Sequence, residues 1–302
     1  MNSAIYGQLT VFQAIVAEGS ISGAARRLET TAPSVSKSLK LLETHIGLPL
    51  FHRTTRKIEL TEAGRLLQER TANVVQSLVS AVESVQDLGG NPAGSVRMTV
   101  PRFAFQSIIR PHYAEFCRRY PHVQLEISVN DGTVDIIEQG FDLGIRFGDT
   151  VGENMVARRL SEPVMQGLYV SADYRAQYGL PQTPAELSNH RLIGYRFITA
   201  NRILPLVLDD KGQDLTVDMP VSVMVNDIEV MNDAVRKGLG IGRIFDLTWR
   251  LLPDREDFIP VLQDYWQRYP AVYLYYPQHS QKARRIGVVV DFLTEKAASD
   301  GV

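Results

Sequence analysis

Ser20-Ile21-Ser22-Gly23-Ala24-Ala25-Arg26-Arg27-Leu28, then Pro33-Ser34-Val35-Ser36-Lys37-Ser38-Leu39-Lys40-Leu41-Leu42-Glu43, decide the fold. Leu50-Phe51-His52-Arg53-Thr54-Thr55-Arg56 and Leu60-Thr61-Glu62-Ala63-Gly64 follow. Ser20 or Ser22 can cap a first short helix, because a hydroxyl accepts from the free N–H groups of a first turn. Ala24 and Ala25 leave room for another helix to cross it. Glu29-Thr30-Thr31 breaks the pattern, and Pro33 suits the first turn of a second helix, where a missing N–H costs nothing. Val35, Leu39, Leu42 and Ile46 give that helix an apolar stripe, and Gly47 ends it as a left-handed cap. Leu50-Phe51 and Ile58-Leu60 read as short strands around the basic run from His52 to Lys57. Two crossed helices followed by a basic hairpin are a winged helix-turn-helix, the build of a DNA reader.

Upstream, Ile5, Leu9, Phe12, Ile15 and Val16 recur at helical intervals and predict a supporting helix. The second helix of the pair would enter the major groove N-terminus first. Ser34, Ser36, Lys37 and Lys40 are therefore the candidate DNA-contacting residues, with Arg53 and Arg56 on the wing. Small hydroxyl side chains permit close approach to bases and phosphates, and lysines supply the salt-sensitive share of affinity. Wing arginines suit a narrowed minor groove. Residues 1–60 hold seven Lys/Arg against four acids, although the whole chain carries a net charge of −2.

The first 65 residues resemble those of the LysR-type transcriptional regulators. The resemblance rests on Leu9-x-x-Phe12, Glu18-Gly19-Ser20, Ala24-Ala25-x-x-Leu28, Val35-Ser36-Lys37 and Leu42-Glu43. It continues through Gly47-x-x-Leu50-Phe51-x-Arg53-Thr54-Thr55-Arg56 and Leu60-Thr61-x-Ala63-Gly64. It implies that Pro33, Ser36 and Lys37 lie at the DNA and that Arg53 and Arg56 are wing arginines. Ala32 departs from the glutamine that many members carry, so the bases read would differ.

Thr61 can cap a helix running to about Leu88, before Gly89-Gly90-Asn91-Pro92. Leu67, Thr71, Val74, Leu78, Ala81, Val85 and Leu88 recur at alternating steps of four and three, a heptad seam that predicts pairing with a second subunit. A two-fold pair of heads would read paired half-sites. The resemblance implies the same homodimer, and a homotetramer beyond it.

From Gly94 onward strands alternate with helices. Strands are expected at 96–100, 123–129, 142–147, 164–170, 192–197, 221–225 and 271–276. Helices are expected near 107–119, 133–139, 227–237 and 283–297, the third opened by a capping box of Asn226 and Glu229. The fold class is therefore α+β multidomain: a winged helix-turn-helix at 1–60, a linker helix at 61–90, and a two-lobed α/β effector domain at 91–302. Lobe I takes about 91–162 and 268–302, lobe II about 163–267. The crossings fall near Ser161-Glu162-Pro163 and Arg268-Tyr269-Pro270. Gly140-Phe141-Asp142-Leu143-x-Ile145-Arg146-x-Gly148 and Gly238-x-Gly240-Ile241 extend the family resemblance, which implies the fold of periplasmic binding proteins.

Ligands of open α/β sheets bind beyond the carboxyl ends of strands. The candidate effector-binding residues are accordingly Arg102, Phe103, Ala104, Arg146, Phe147, Tyr195, Arg196, Phe197 and Asn226. Arginines and aromatics there suit a small anion, an aromatic or other carboxylate. Many relatives place a Ser or Thr where this chain has Arg102-Phe103-Ala104-Phe105, so Arg102 or the 104–107 backbone would stand in.

Composition limits the alternatives. The 302 residues are 44% hydrophobic and 22% charged, which fits a globular protein of two or three domains. No apolar run approaches the ~18 residues of a membrane span, and no export signal precedes the head. Cys117, the single cysteine, fits a reducing cytoplasm. Six scattered histidines suggest no metal set, and no cofactor is called for. An enzyme would need a nucleophile elbow, a phosphate loop or a metal motif, and none is present. Gly238-Leu239-Gly240-Ile241-Gly242 lacks dinucleotide spacing and suits close helix–strand packing. A solute-binding transport protein fits the two lobes, but not the basic head.

Overall fold

The computed structural model describes residues 4–53, 58–86, 91–152, 155–199, 201–278 and 283–300. Two compact units are described in turn. In the N-terminal unit, α1 (Ala4–Glu18), α2 (Ile21–Arg27) and α3 (Ala32–Ile46) enclose one core of Phe12, Ile15, Ala24, Ala25, Val35, Leu39 and Leu42. Ser20 is the cap of α2, its hydroxyl accepting from Gly23 N–H at 3.0 Å. Thr31 caps α3 and Pro33 sits in its first turn. Gly47 closes the helix at φ 80°, a conformation that favours glycine, with its N–H on Glu43 O. β1 (Phe51–Arg53) and β2 (Ile58–Leu60) form the antiparallel wing, pairing Phe51 with Leu60.

Helix α4 (Glu62–Gln86) starts at Thr61, whose hydroxyl donates to Pro49 O at 2.7 Å and accepts from Gly64 N–H at 3.0 Å. The expected seam divides along it. Leu67 packs on the head's core, and Thr71 accepts from Gln13 Nε2 at 2.9 Å, so the first two positions serve their own head. Val74 and Leu78 remain exposed. The Ala81 and Val85 side chains and Leu88 lie outside the described residues.

The larger unit comprises Pro92–Val134 and Asp142–Val302. Its first sheet has the order β4-β3-β5-β16-β6. The strands are β3 (Gly94–Val100), β4 (Val123–Val129), β5 (Leu143–Phe147), β6 (Met155–Arg159) and β16 (Val272–Pro277). β3 runs parallel to both β4 and β5, whereas β16 is antiparallel to β5 and β6. Alternation in β3 buries Val96, Met98 and Val100, as expected for a strand covered by helices. Asp142 fixes the start of β5: its carboxylate accepts from Arg97 N–H at 2.8 Å, and its own N–H bonds Arg97 O.

Two expected helices differ. The 107–119 helix begins earlier and is broken into α5 (Arg102–Ala104), a wide π turn at Phe105–Ile109, and α6 (Tyr113–Arg119). Pro111 explains the break, since it lacks an N–H and its ring collides with the carbonyl four residues back. The 133–139 helix is only a turn, in which the Asp135 carboxylate occupies the N–H groups of Ile137 and Glu138.

The second lobe is built around β7 (Val164–Val170), α7 (Ala172–Tyr178) and β8 (Leu192–Arg196). β9 (Ile203–Leu204) and β12 (Val221–Val225) flank β8, and β10 (Leu206–Asp210) with β11 (Gln213–Val217) makes a hairpin. Helix α8 (Ile228–Arg236) is capped by Asp227 rather than Asn226, because Asp227 takes the extended conformation and accepts from Glu229 and Val230 N–H. β13 (Gly242–Phe245), β14 (Ile259–Val261) and β15 (Gln267–Tyr269) all pair antiparallel with β7, and α9 (Asp246–Trp249) follows β13. A Cβ on Gly242 would lie 2.2 Å from Val235 Cγ2, so the glycine permits α8 to approach the strand. Helix α10 (Arg284–Asp300) returns to the first sheet with Ile286, Val289, Val290, Phe292 and Leu293 buried. The two segments that pass between the sheets are bonded together: Val272 N–H donates to Ser161 Oγ at 2.9 Å, and Leu160 N–H to Val272 O at 2.8 Å.

Candidate functional site

Two surfaces carry the chemistry. On α3, burial of Val35, Leu39 and Leu42 turns the remaining faces outward, leaving Pro33, Ser34, Lys37 and Lys40 exposed. Ala32 and Ser36 are half-buried, Ala32 packing at the edge of the head's core. Among the described residues neither Lys37 nor Lys40 has an acidic partner, so both charges are free for an external anion. Glu43 is occupied within the head, accepting from Leu50 N–H at 2.9 Å where the chain turns into the wing. The backbone of Arg53 ends β1 opposite Ile58. The Arg53 side chain and the whole of Arg56 lie outside the described residues.

The second surface is a cavity of ≈ 460 Å3 in the cleft between the two lobes of the larger unit. Phe103, Arg146, Phe147, Tyr195 and Phe197 line it, as the strand-end argument expected. Arg102, Ala104, Arg196 and Asn226 do not. Arg102 turns to Asp227, Nε to Oδ2 at 3.0 Å, and Ala104 is enclosed in the core of the first lobe. Arg196 braces the following turn through Asn201 O at 3.1 Å, and Asn226 O accepts from the Tyr195 hydroxyl at 3.1 Å. Sequence reasoning missed Asp131, Gln166, Arg202, Arg243, Phe245, Thr248 and Tyr269, all in the lining. They come from strands, loops and the short helix α9 in distant parts of the chain, so no local period marks them.

Four rings form a packed cluster shared by both lobes. Phe103 stacks on Phe147 with centroids 4.9 Å apart, Phe245 lies 5.0 Å from Phe103, and Tyr269 lies 5.2 Å from Phe245. Away from the rings, other contacts cross the cleft. Arg102 meets Asp227, Gln106 Nε2 donates to Glu229, and Thr133 N–H donates to Thr199 Oγ1 at 2.8 Å. Burial lowers the guanidinium pKa of Arg146 and of Arg243, and raises that of the Tyr195 phenol to about 12. Burial also raises the Asp131 carboxyl, against the opposing pull of the Arg102 N–H it accepts at 2.7 Å. Among the described residues no group of three His, Cys, Asp or Glu could hold a metal ion. No described helix is long and apolar enough to cross a membrane.

A helix-turn-helix head with free cations, joined to a two-lobed domain around a cavity, is the build of a DNA-binding protein that responds to a small molecule. Residues 6–65 match the family model described as bacterial regulatory helix-turn-helix protein, lysR family, and residues 89–298 match the LysR substrate binding domain. The chain belongs to the LysR family: it is a DNA-binding transcriptional regulator with a substrate-binding effector domain. Among its relatives is the HTH-type transcriptional regulator PgrR of Escherichia coli K12, 27% identical over 96% of this chain and 97% of that protein. The structure of CrgA, a LysR-type transcriptional regulator from Neisseria meningitidis, superposes with a TM-score of 0.61 at 26% identity, covering 98% of this chain and 99% of that one. The fold is shared too with the Vibrio cholerae virulence activator AphB, at a TM-score of 0.59 and 22% identity over 95% and 97% of the two chains.

Proposed function

We propose that this regulator reads double-stranded DNA with Ala32, Pro33, Ser34, Ser36, Lys37 and Lys40 of α3, and with Arg53 and Arg56 on the wing. A small anion with an aromatic or other apolar body, a carboxylate above all, is its effector. The observation that carries the effector reading is the ≈ 460 Å3 cavity, where aromatic walls meet three arginines, Arg146, Arg202 and Arg243, with the carboxylate of Asp131 beside Arg146. That volume suits a small organic ligand. The cleft binds rather than catalyses, in keeping with relatives that are transcriptional regulators. The protein works in the cytoplasm as a homodimer paired through α4, with two dimers forming a homotetramer. Val74 and Leu78 support that pairing, being apolar and uncovered on a single chain. In this reading the head spans 1–60, the connector 61–90 and the effector domain 91–302.

Effector binding closes the lobes and changes how dimers sit within the tetramer, and so the spacing and bend of the bound DNA. A ligand does this only through a difference in affinity between the two arrangements. The test of the reading head is promoter affinity across a salt series. Affinity falls with salt in the wild type, and Ser36→Ala, Lys37→Ala and Arg53→Ala together weaken it by roughly tenfold or more. Unchanged promoter affinity in that triple variant would refute the assignment. Identical footprints and bends with and without saturating effector would refute the coupling.

A further inference from the structure

The three arginines of the cavity are not equivalent. Arg146 is braced by its own lobe: Nη1 donates to Ile145 O, and Nη2 to Thr99 Oγ1 and the carbonyls of Asn130 and Gly132. Arg202 is exposed and lies over the Phe197 ring, 5.9 Å from its centroid. Arg243 is only 6% exposed. Its Nη1 donates to Pro205 O at 2.8 Å and its Nη2 to Leu204 O at 3.2 Å, both neutral carbonyls. Its Nε–H is buried and has no hydrogen-bond partner among the described residues.

This combination is uncommon. A buried cation ordinarily has a counter-ion, and a buried N–H ordinarily has an acceptor. Among the described residues Arg243 has neither a counter-ion nor an acceptor for Nε–H, yet its two terminal nitrogens are held in place by the chain that leads from β9 into β10. What it lacks, at the wall of the cavity, is a negative charge to face its own. The surroundings define the rest of the molecule that would bring that charge. The Tyr195 and Tyr269 rings are neighbours of the guanidinium, and Phe245, two residues on in the same strand, belongs to the ring cluster with Phe103 and Phe147.

We infer that Arg243 is the anion anchor of the cleft, its buried charge holding the carboxylate of a flat, apolar monoacid while the ring cluster takes the body. The inference rests on the reading of the cavity as the effector site. Specificity follows from the same geometry. A primary amide of identical shape carries weaker acceptor character and no charge, so it leaves the buried cation without a counter-ion. Arg243, rather than Arg102 or Arg146, then sets the requirement for a negative charge.

The test is calorimetric titration of the full chain with 2-naphthoate and its neutral isostere 2-naphthamide. The wild type binds naphthoate saturably and naphthamide roughly tenfold or more weakly, the scale of one charged hydrogen bond. Arg243→Gln, which removes the charge and keeps a polar side chain, loses naphthoate affinity by a similar factor and leaves naphthamide unchanged. Should Arg243→Gln not fold, the acid–amide comparison on the wild type decides alone. Thr133→Trp, which fills the cavity from its rim, abolishes binding of both. Equal wild-type affinity for acid and amide, or undiminished naphthoate affinity in Arg243→Gln, overturns the anchor while the cavity reading stands. Naphthoate binding that survives Thr133→Trp, or no naphthoate binding at all, overturns both.

Discussion

Gly64 has the carbonyl oxygen of Leu50 where any other residue would have a side chain: a Cβ there would sit 2.1 Å away. The oxygen belongs to backbone and cannot swing aside, since Thr61 N–H donates to it at 3.0 Å. Gly64→Ala therefore forces α4 off the wing and is expected to destabilise the head by about 1–3 kcal/mol, the usual cost of overpacking. A thermal melt with promoter binding at the same temperature would register it. Asp131 offers a test of the opposite sign. Its carboxyl titrates above the usual carboxylate range because burial disfavours the charge. Stability linked to it is full below the ordinary value of 3.8 and is lost as pH rises through the raised one. Asp131→Asn, which still accepts from Arg102 N–H, is expected to raise the melting temperature at pH 7, with the gain fading towards pH 3.8. A variant less stable than wild type at pH 7 would mean that attraction to Arg102 and Arg146 outweighs desolvation.

Among the elements, α3 combines a buried stripe with a fixed end, and each half can be tested. Gly47→Ala places a side chain at φ 80° and is expected to cost about 1–2 kcal/mol. Lys37→Ala and Lys40→Ala should leave folding intact and each reduce the slope of log affinity against log salt by about one, the mark of a phosphate contact. On α4, Val74→Asp with Leu78→Asp should shift sedimentation towards the monomer, whereas substitutions at Leu67 should lower head stability instead. The contrast between head and cleft shows what the sequence could convey. Caps, stripes and the proline of the first turn act within a few residues of themselves, so α2, α3 and the start of α4 were legible. Asn226 and Asp227 are both competent caps, and only the extended backbone at Asp227 separates them. Arg243, Gln166 and Tyr269 meet because β13 and β15 both pair with β7, a relation between distant segments that leaves no local pattern. Two of the seven seam positions misled for the converse reason: Leu67 and Thr71 keep the period of a coiled coil but are spent on the head's core and on Gln13 of α1.

At the scale of the molecule, the two lobes of the effector domain are linked by two segments and held across the cleft by Arg102 with Asp227, Gln106 with Glu229, and Thr133 with Thr199. Loss of that latch, in Arg102→Ala with Gln106→Ala, is expected to speed amide exchange at Leu160 and Val272, where the crossings are bonded. Exchange unchanged from wild type would mean that the latch does not restrain the crossings. The first sheet has a further consequence, for how the protein is made. β16 lies between β5 and β6, and among the described residues β6 has no other strand beside it. Residues 155–159 therefore wait, unpaired, until residues 272–277 have left the ribosome, although the head's contacts are complete long before. A nascent chain halted ahead of β16 would already present a finished reading helix while the lobe it answers to stays open-edged, so the order of synthesis gives DNA binding a head start over its control.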